Sequence, residues 1–386
     1  MNYRCTLYAF PFICIYVLLP FPLFSQQKES RNENPVSLEA SYIGDNVNSL
    51  SGGIKTGSCY LGLANFQFEF DTKKAGIWKG GQLHLNAANT HGSSPSIDYI
   101  GDMQVASNIE AGNHTFFQEL WYKQTLGNID FTIGLQDLNI QFANTGNGAL
   151  FLNSSFGILP TISGNFPAPV YPLTSLGFTC KWTTSEKIAL LGAVYDGCPT
   201  DFQNNPYNLN WRLNSEDGLL FISEIQFSTS PNNLPGTFKL GFYSHNHWFG
   251  KLANPEETDS KVGNNIGIYV IADQMIWQLN QKAMGAFIQM GYGPSQSSQN
   301  YFYFGAGLNC YGLFKKSGND EIGIAIASDR LKGNIRSECT IEFTYKTKLA
   351  GHLFIQPDIQ YIIHPAGIGV ILKNGLESIL RFGIVF

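Results

Sequence analysis

The sequence predicts an all-β fold: a transmembrane antiparallel barrel of 16 strands with short turns at one end, long loops at the other, and at least one loop folded into the lumen. Three observations carry this. Apolar and polar residues alternate with period two in segment after segment, so each strand has two unlike faces. Only 14% of residues are charged while 14% are aromatic, against roughly a quarter charged in an ordinary globular domain, so part of the surface faces something other than water. Beyond the N-terminus no run of about 18 apolar residues offers a spanning helix, so any membrane crossing uses strands.

In chain order, residues 1–25 read as a secretory signal, with Arg4 ahead of an apolar stretch from Tyr8 to Phe24 and Ser25 at the cleavage point. Residues 26–386 then form a single barrel domain. Strands are expected near 37–43, 57–70, 81–90, 115–125, 129–137, 174–182, 188–195, 219–227, 237–244, 265–274, 283–292, 300–310, 320–328, 337–346, 352–361 and 375–386. In "NIDFTIGLQ" Ile129, Phe131, Ile133 and Leu135 share one face; in "ECTIEFTYK" Cys339, Ile341, Phe343 and Tyr345 do. A soluble sandwich also alternates. The connections decide between them: those after even-numbered strands are mostly short, such as Gly127–Asn128, whereas 91–114, 138–173, 196–218 and 245–264 follow odd-numbered ones, the asymmetry of outer-membrane barrels. Trp78, Trp182, Trp277 and Phe386 fall at the short-turn ends of strands, where a lipid–water boundary favours amphipathic rings.

Parity counted back from Phe386 puts Leu380, Phe382 and Ile384 in lipid and Glu377, Arg381 and Gly383 in the lumen. The same parity turns Glu69, Glu119, Trp121, Asp130, Glu224, Lys239, Glu342 and Asp358 inward. Glu119, Trp121, Glu342 and Arg381 lie near mid-height and are the wall candidates: a carboxylate accepts two sugar hydroxyls, a guanidinium donates as a fork, and an indole stacks on a pyranose. The alternative is that lumenal charges brace one another or an inward loop. From the longest loop, Asn139 and Asn144 are the candidate constriction amides, the alternative being a loop that satisfies them internally. Trp211 and Trp248 could catch solute at the mouth or simply pack their loops.

Several stretches resemble the OprB family of carbohydrate-selective outer-membrane porins. They include the segment from Ser41 opening "SYIGDNVNSLSGG", "YIGDMQVASNIEAGNHT" from Tyr99, "ELWYKQ" from Glu119 and "GLQDLNIQFANTGNGALFLNSSFGI" from Gly134. Further matches are "GAVYDGCP" from Gly192, "DGLLFISE" from Asp217, "ADQ" from Ala272 and "QPDIQYIIHPAG" from Gln356. The resemblance implies a 16-stranded barrel, a homotrimer, passive diffusion of monosaccharides or small oligosaccharides, and residence among lipid and lipopolysaccharide. It also implies an inward-folding loop between Tyr99 and Glu110, which the predicted connection at 91–114 contains, and a C-terminal Phe386 read by the barrel-assembly machinery. The family's constriction is rich in arginine and glutamate whereas charge is sparse here, which leaves the sugar unassigned.

Formal net charge is −5 with no basic block, so nucleic acid is not an expected partner. No cofactor or metal is expected: His91, His114 and the His245–His247 pair have no cysteine or carboxylate at ligand spacing. Cys59, Cys180, Cys198, Cys310 and Cys339 read as apolar fillers on strands. No GxSxG, HExxH or Walker loop is present, and a wide wet lumen is expected to leave no carboxylate desolvated enough for acid catalysis. A general porin, a surface adhesin and a barrel-based enzyme are the alternatives to a sugar channel.

Overall fold

In the computed structural model, residues 34–215, 217–246, 264–294, 298–314, 320–332, 337–367 and 370–386 are described. The expected signal at 1–25 lies outside them, as do His247 and Trp248. The strands are β1 (Val36–Gly53), β2 (Gly57–Asp71), β3 (Gly81–Gly92), β4 (His114–Leu126), β5 (Ile129–Gln136), β6 (Ser175–Thr183), β7 (Ile188–Asp196) and β8 (Leu219–Thr229). They continue as β9 (Gly236–His245), β10 (Asn265–Leu279), β11 (Lys282–Tyr292), β12 (Asn300–Tyr311), β13 (Asp320–Leu331), β14 (Glu338–Ala350), β15 (Leu353–Ile363) and β16 (Lys373–Val385). Each pairs antiparallel with its neighbours in sequence, and β1 closes on β16 from Ser41↔Val385 upward, so the barrel has no open edge.

The two faces of the wall follow the sequence parity. Leu240, Ile324, Phe343, Leu380 and Phe382 are exposed outside, while Glu224, Glu342, Asp358 and Arg381 are buried inside. Trp78, Trp182, Trp277 and Phe386 are all exposed at one end, which fixes that end as the periplasmic boundary. There the turns are tight: Gly127 takes φ 66° to reverse the chain between β4 and β5. No helix among the described residues is long and apolar enough to cross a membrane; strands do the crossing.

The largest departure from the sequence expectation is β1, which runs to Gly53 rather than stopping at 43. Its upper half carries Asn46, Asn48 and Ser51, so alternation of hydropathy fades there although the pairing with β2 continues through Ser49↔Gly57. Likewise β10 runs to Leu279 through a bulge between Met275 and Trp277. The five described cysteines are all free.

Candidate functional site in the barrel lumen

The connection between β5 and β6, residues 137–174, enters the barrel and packs on the inner wall. Its Leu138, Phe142, Phe151, Phe156, Ile162 and Phe166 are buried against wall residues that include Tyr195, Tyr243, Tyr269, Phe287 and Tyr303. Burying loop backbone is tolerable only if its polar groups find partners. The wall supplies them. Asp273 accepts from the Asn147 amide at 2.8 Å, and also from Thr145 Oγ1 and Asn147 Nδ2. Glu224 accepts from the Ala143 amide at 2.9 Å and from Tyr269 OH at 2.6 Å. Glu342 accepts from the Leu152 and Asn153 amides at 2.5 and 3.0 Å. Carbonyls are met by donors: Gln356 reaches Leu150 O, Tyr303 reaches Ser155 O and Tyr243 reaches Thr161 O, at 2.7, 2.8 and 2.6 Å. Because these bonds engage ionised or polar wall groups away from bulk water, each is worth more than a surface hydrogen bond, about 1.5–3 kcal/mol where the acceptor is charged.

A second connection, residues 93–113, docks beside it on β1 and β14–β16. Glu338 gathers the amides of Met103, Gln104 and Ala366 at 2.8–2.9 Å. Arg381 clasps Asp45 through both Nε and Nη2 at 2.8 Å, and its Nη2 also donates to Asn108 Oδ1 at 2.8 Å. The two loops are joined where Asn108 N donates to Leu152 O and Ser154 N to Val105 O, at 2.8 and 2.9 Å. Burial pushes the Asp102 carboxyl up to about 6, and burial together with the nearby Asp102 charge pushes Glu110 up to about 7. Asp137, buried at the entry of the long loop and close to the Glu119 charge, rises to about 7. The expectation that a wet lumen desolvates no carboxylate therefore fails here, because the inward loops exclude water from these groups. All the same, Asp137 is engaged in structure, accepting from the Asn139 and Tyr171 amides at 2.9 and 3.1 Å.

The sequence-predicted residues are placed as follows. Glu342 is fully buried beneath the long loop, and Arg381 is 7% exposed in its fork with Asp45. Asn139 donates to Phe142 O and Gly157 O, and Asn144 to Asn139 O and Ile140 O while accepting from Lys239 Nζ at 2.7 Å. Their amides are thus satisfied within the loop, the alternative weighed from sequence. Glu119 and Trp121 sit apart from these on β4. There Trp121 stacks on His84 with centroids 4.7 Å apart and donates to Glu119 Oε1 at 3.1 Å, while His84 lies 3.4 Å from Glu69 and 3.5 Å from Glu119. Gly134 faces Trp121 across the strand pair at φ 135°, where an added Cβ would lie 2.3 Å from Leu120 O. At the rim, Trp211 donates to Asn208 O at 2.8 Å and packs its own loop.

Sequence reasoning missed Asp45, Asp273 and Glu338 as loop clamps and His84 as the partner of Trp121. Asp273 stood inside the "ADQ" match and could have been singled out. Asp45 also stood inside a match, the one opening at Ser41, but its inward parity could not be assigned since the upper half of β1 did not read as strand. Among the described residues no three His, Cys, Asp or Glu converge to hold a metal ion.

Comparison with known proteins agrees with this architecture. Residues 55–386 match the model of the family described as carbohydrate-selective porin, OprB family. Porin B of Pseudomonas aeruginosa is 20% identical over 409 residues, covering 92% of this chain and 88% of its own. The high-pH structure of Pseudomonas putida OprB superposes with a TM-score of 0.80 at 18% identity, covering 91% of this chain and 94% of that one. The trimer form of Vibrio cholerae OmpT gives a TM-score of 0.53 at 8% identity, covering 91% and 99%.

Proposed function

We propose that in this chain, which belongs to the OprB family of carbohydrate-selective porins and so forms a carbohydrate channel in the bacterial outer membrane, the loop at 137–174 is the element that selects the solute. One observation carries the proposal: wall carboxylates on β8, β10 and β14 clamp the loop's amides, so the constriction is a fixed body rather than a mobile flap. A rigid, largely uncharged loop leaves a passage whose width is set by packing. Solutes then cross by exchanging part of their hydration for loosely held wall contacts.

Within that reading Glu342, Arg381, Asn139 and Asn144 shape the constriction by holding the loops. The half-buried Trp121 is the ring offered to solute near mid-height, with Glu119, 6% exposed, orienting it by accepting from its Nε1. Monosaccharides and small oligosaccharides are the proposed solutes. The protein works by diffusion without turnover, its raised carboxylates serving the loops. It assembles as a homotrimer, a reading supported by the likeness to the trimer form of OmpT. Phe386, exposed at the barrel's last register with its amide donating to Ala40 O at 2.8 Å, is proposed as the mark read during membrane assembly.

Liposome swelling tests this. Sugars are expected to enter faster than amino acids or salts of equal size; permeation governed by size alone would make the channel a general porin.

A further inference from the structure

The ladder of strands is interrupted above β5. Pairing of β4 with β5 reaches only Leu120↔Leu135, because β5 ends at Gln136 and the chain turns inward, yet β4 itself continues up to His114. On the far side β6 starts at Ser175. Part of the loop at 197–218 fills the space between them. The Phe117 amide of β4 donates to Tyr207 O at 3.1 Å, and Asn208 Nδ2 donates back to Phe117 O at 3.2 Å. The same Nδ2 reaches Thr174 O and Oγ1 at 3.3 and 3.0 Å, so one side chain ties the top of β4 to the entry of β6. Asn208 takes φ 52°, a left-handed conformation that asparagine tolerates better than most residues.

These bonds lie at membrane depth. Thr174 stands eight positions before the boundary residue Trp182; at about 3.3 Å per residue and a tilt near 40°, that is about 20 Å up an apolar band about 25 Å tall. The sequence there is patterned for two unlike surroundings. In "YNLNWRL", from Tyr207 to Leu213, aromatic or aliphatic residues alternate with polar ones, as in a strand with one face in lipid. Asn208, Asn210 and Arg212 line a polar recess with Asp196 and Thr200, whereas Tyr207, Leu209 and Leu213 stand outside it, 61%, 48% and 71% exposed. Large apolar groups gathered in one exposed patch mark a contact surface. Here they continue a surface already assigned to lipid, since Phe178 of β6 and Leu219 and Phe221 of β8 are exposed on the same side of the barrel.

We infer that residues 207–213 form a piece of the barrel wall, closing the space that the inward loop leaves above β5 and facing the acyl chains of the outer leaflet. Hydrocarbon cannot satisfy the free backbone edges of Phe117 and Thr174, so a spanning wall needs another segment of protein there. Tyr207 and Asn208 supply it, while Tyr207, Leu209 and Leu213 turn the apolar side out. The remainder of the loop stays in water: Phe202 bends the other way, onto His114 and Phe116, and its neighbour Gln203 is exposed. The inference does not depend on which solute passes.

The test is tryptophan fluorescence in phosphatidylcholine liposomes, with heat-modifiable migration reporting barrel folding and the wild-type signal subtracted. Tyr207→Trp and Leu209→Trp are compared with two standards, Phe221→Trp on the lipid-facing wall and Gln203→Trp at the start of the same loop. Lipids brominated on their acyl chains are expected to remove most of the added fluorescence of Tyr207→Trp, Leu209→Trp and Phe221→Trp, and aqueous iodide to quench Gln203→Trp alone. Iodide quenching at 207 and 209 without bromolipid quenching would place the segment in water and overturn the assignment. Indifference to both quenchers would overturn it too, by placing protein, such as a second copy, over the patch. Should the variants not fold, hydroxyl-radical footprinting of the wild type in the same liposomes keeps the question open to refutation. Tyr207 is then expected to oxidise several-fold more slowly than in the urea-unfolded chain, and equal rates would contradict the inference.

Discussion

Two long connections leave the same end of the barrel and solve the same problem in opposite ways. The loop at 137–174 goes inside, where its backbone meets no bulk water, and it draws acceptors from strands far away in sequence: Glu224, Asp273 and Glu342. The loop at 197–218 stays at the rim, where it meets part of its own needs and is tied to the neighbouring backbone by Asn208, whose Nδ2 donates to Phe117 O and Thr174 O at 3.2 and 3.3 Å. Asn205 Oδ1 accepts from the Leu209 and Asn210 amides at 3.0 and 2.9 Å, and Leu213 and Tyr207 remain 71% and 61% exposed. The difference teaches where selectivity can reside: a constriction must hold its shape against passing solute, and of these two loops the inner one is clamped by carboxylates from three separate strands.

The first way to break this contrast is to remove a clamp that also neutralises a buried charge. Arg381→Ala leaves Asp45 buried without its fork, a loss of about 3–5 kcal/mol. The barrel's melting temperature is expected to fall, and ion conductance to rise as Asn108 and the loop at 93–113 are freed; Asp45→Asn in the same chain should recover part of the stability. Unchanged melting would show the pair to be solvated. Next in size, Glu342→Gln replaces one of the two carboxyl oxygens that accept from the Leu152 and Asn153 amides with an NH2 donor, weakening loop docking by about 1–3 kcal/mol. Faster hydrogen exchange at Leu152 and Asn153 is the expected readout, and Asp273→Asn should do the same at Asn147.

A pH change sharpens the contrast without mutation. Asp102 and Glu110 sit in the docked loop at 93–113 with carboxyls raised by burial, Glu110 from an ordinary 4.5 to about 7. A raised acid binds its proton more tightly in the docked state, so docking is fully supported below about pH 4. That support is lost as pH climbs through 6 and 7. Protection at 93–113, taken as exchange relative to each amide's intrinsic rate, is therefore expected to be higher at pH 5 than at pH 8, while the Leu209 and Asn210 amides of the rim loop, held by Asn205 Oδ1, keep one protection. The reverse order would mean these carboxyls are ionised when docked. The smallest effect is expected from Trp211→Ala, which removes one rim hydrogen bond of about 1 kcal/mol and should leave conductance unaltered.

How much of this was legible depended on where each partner stood in the chain. Strand parity was, because lipid outside and polar groups inside impose a two-residue period, so the inward placement of Glu224, Glu342 and Arg381 could be read directly. The inward course of the long loop was expected from its length and its uncharged, amide-rich run. What Glu342 and Arg381 do there could not be read: their partners lie 190 and 336 residues away, and nothing local distinguishes a carboxylate that meets solute from one that caps a loop amide. The upper half of β1 was missed for a related reason. Its outward Asn46 and Asn48 break the apolar period that marks a lipid-facing strand.

The central claim is that the clamped inner loop sets the passage. Single-channel conductance in planar bilayers, with sugars as blockers, tests it most directly when the wild type is set beside a chain carrying Asp273→Asn and Glu342→Gln together. A released loop is expected to raise conductance and abolish sugar block while the barrel stays folded. Equal conductance and equal block in the two chains would contradict the account.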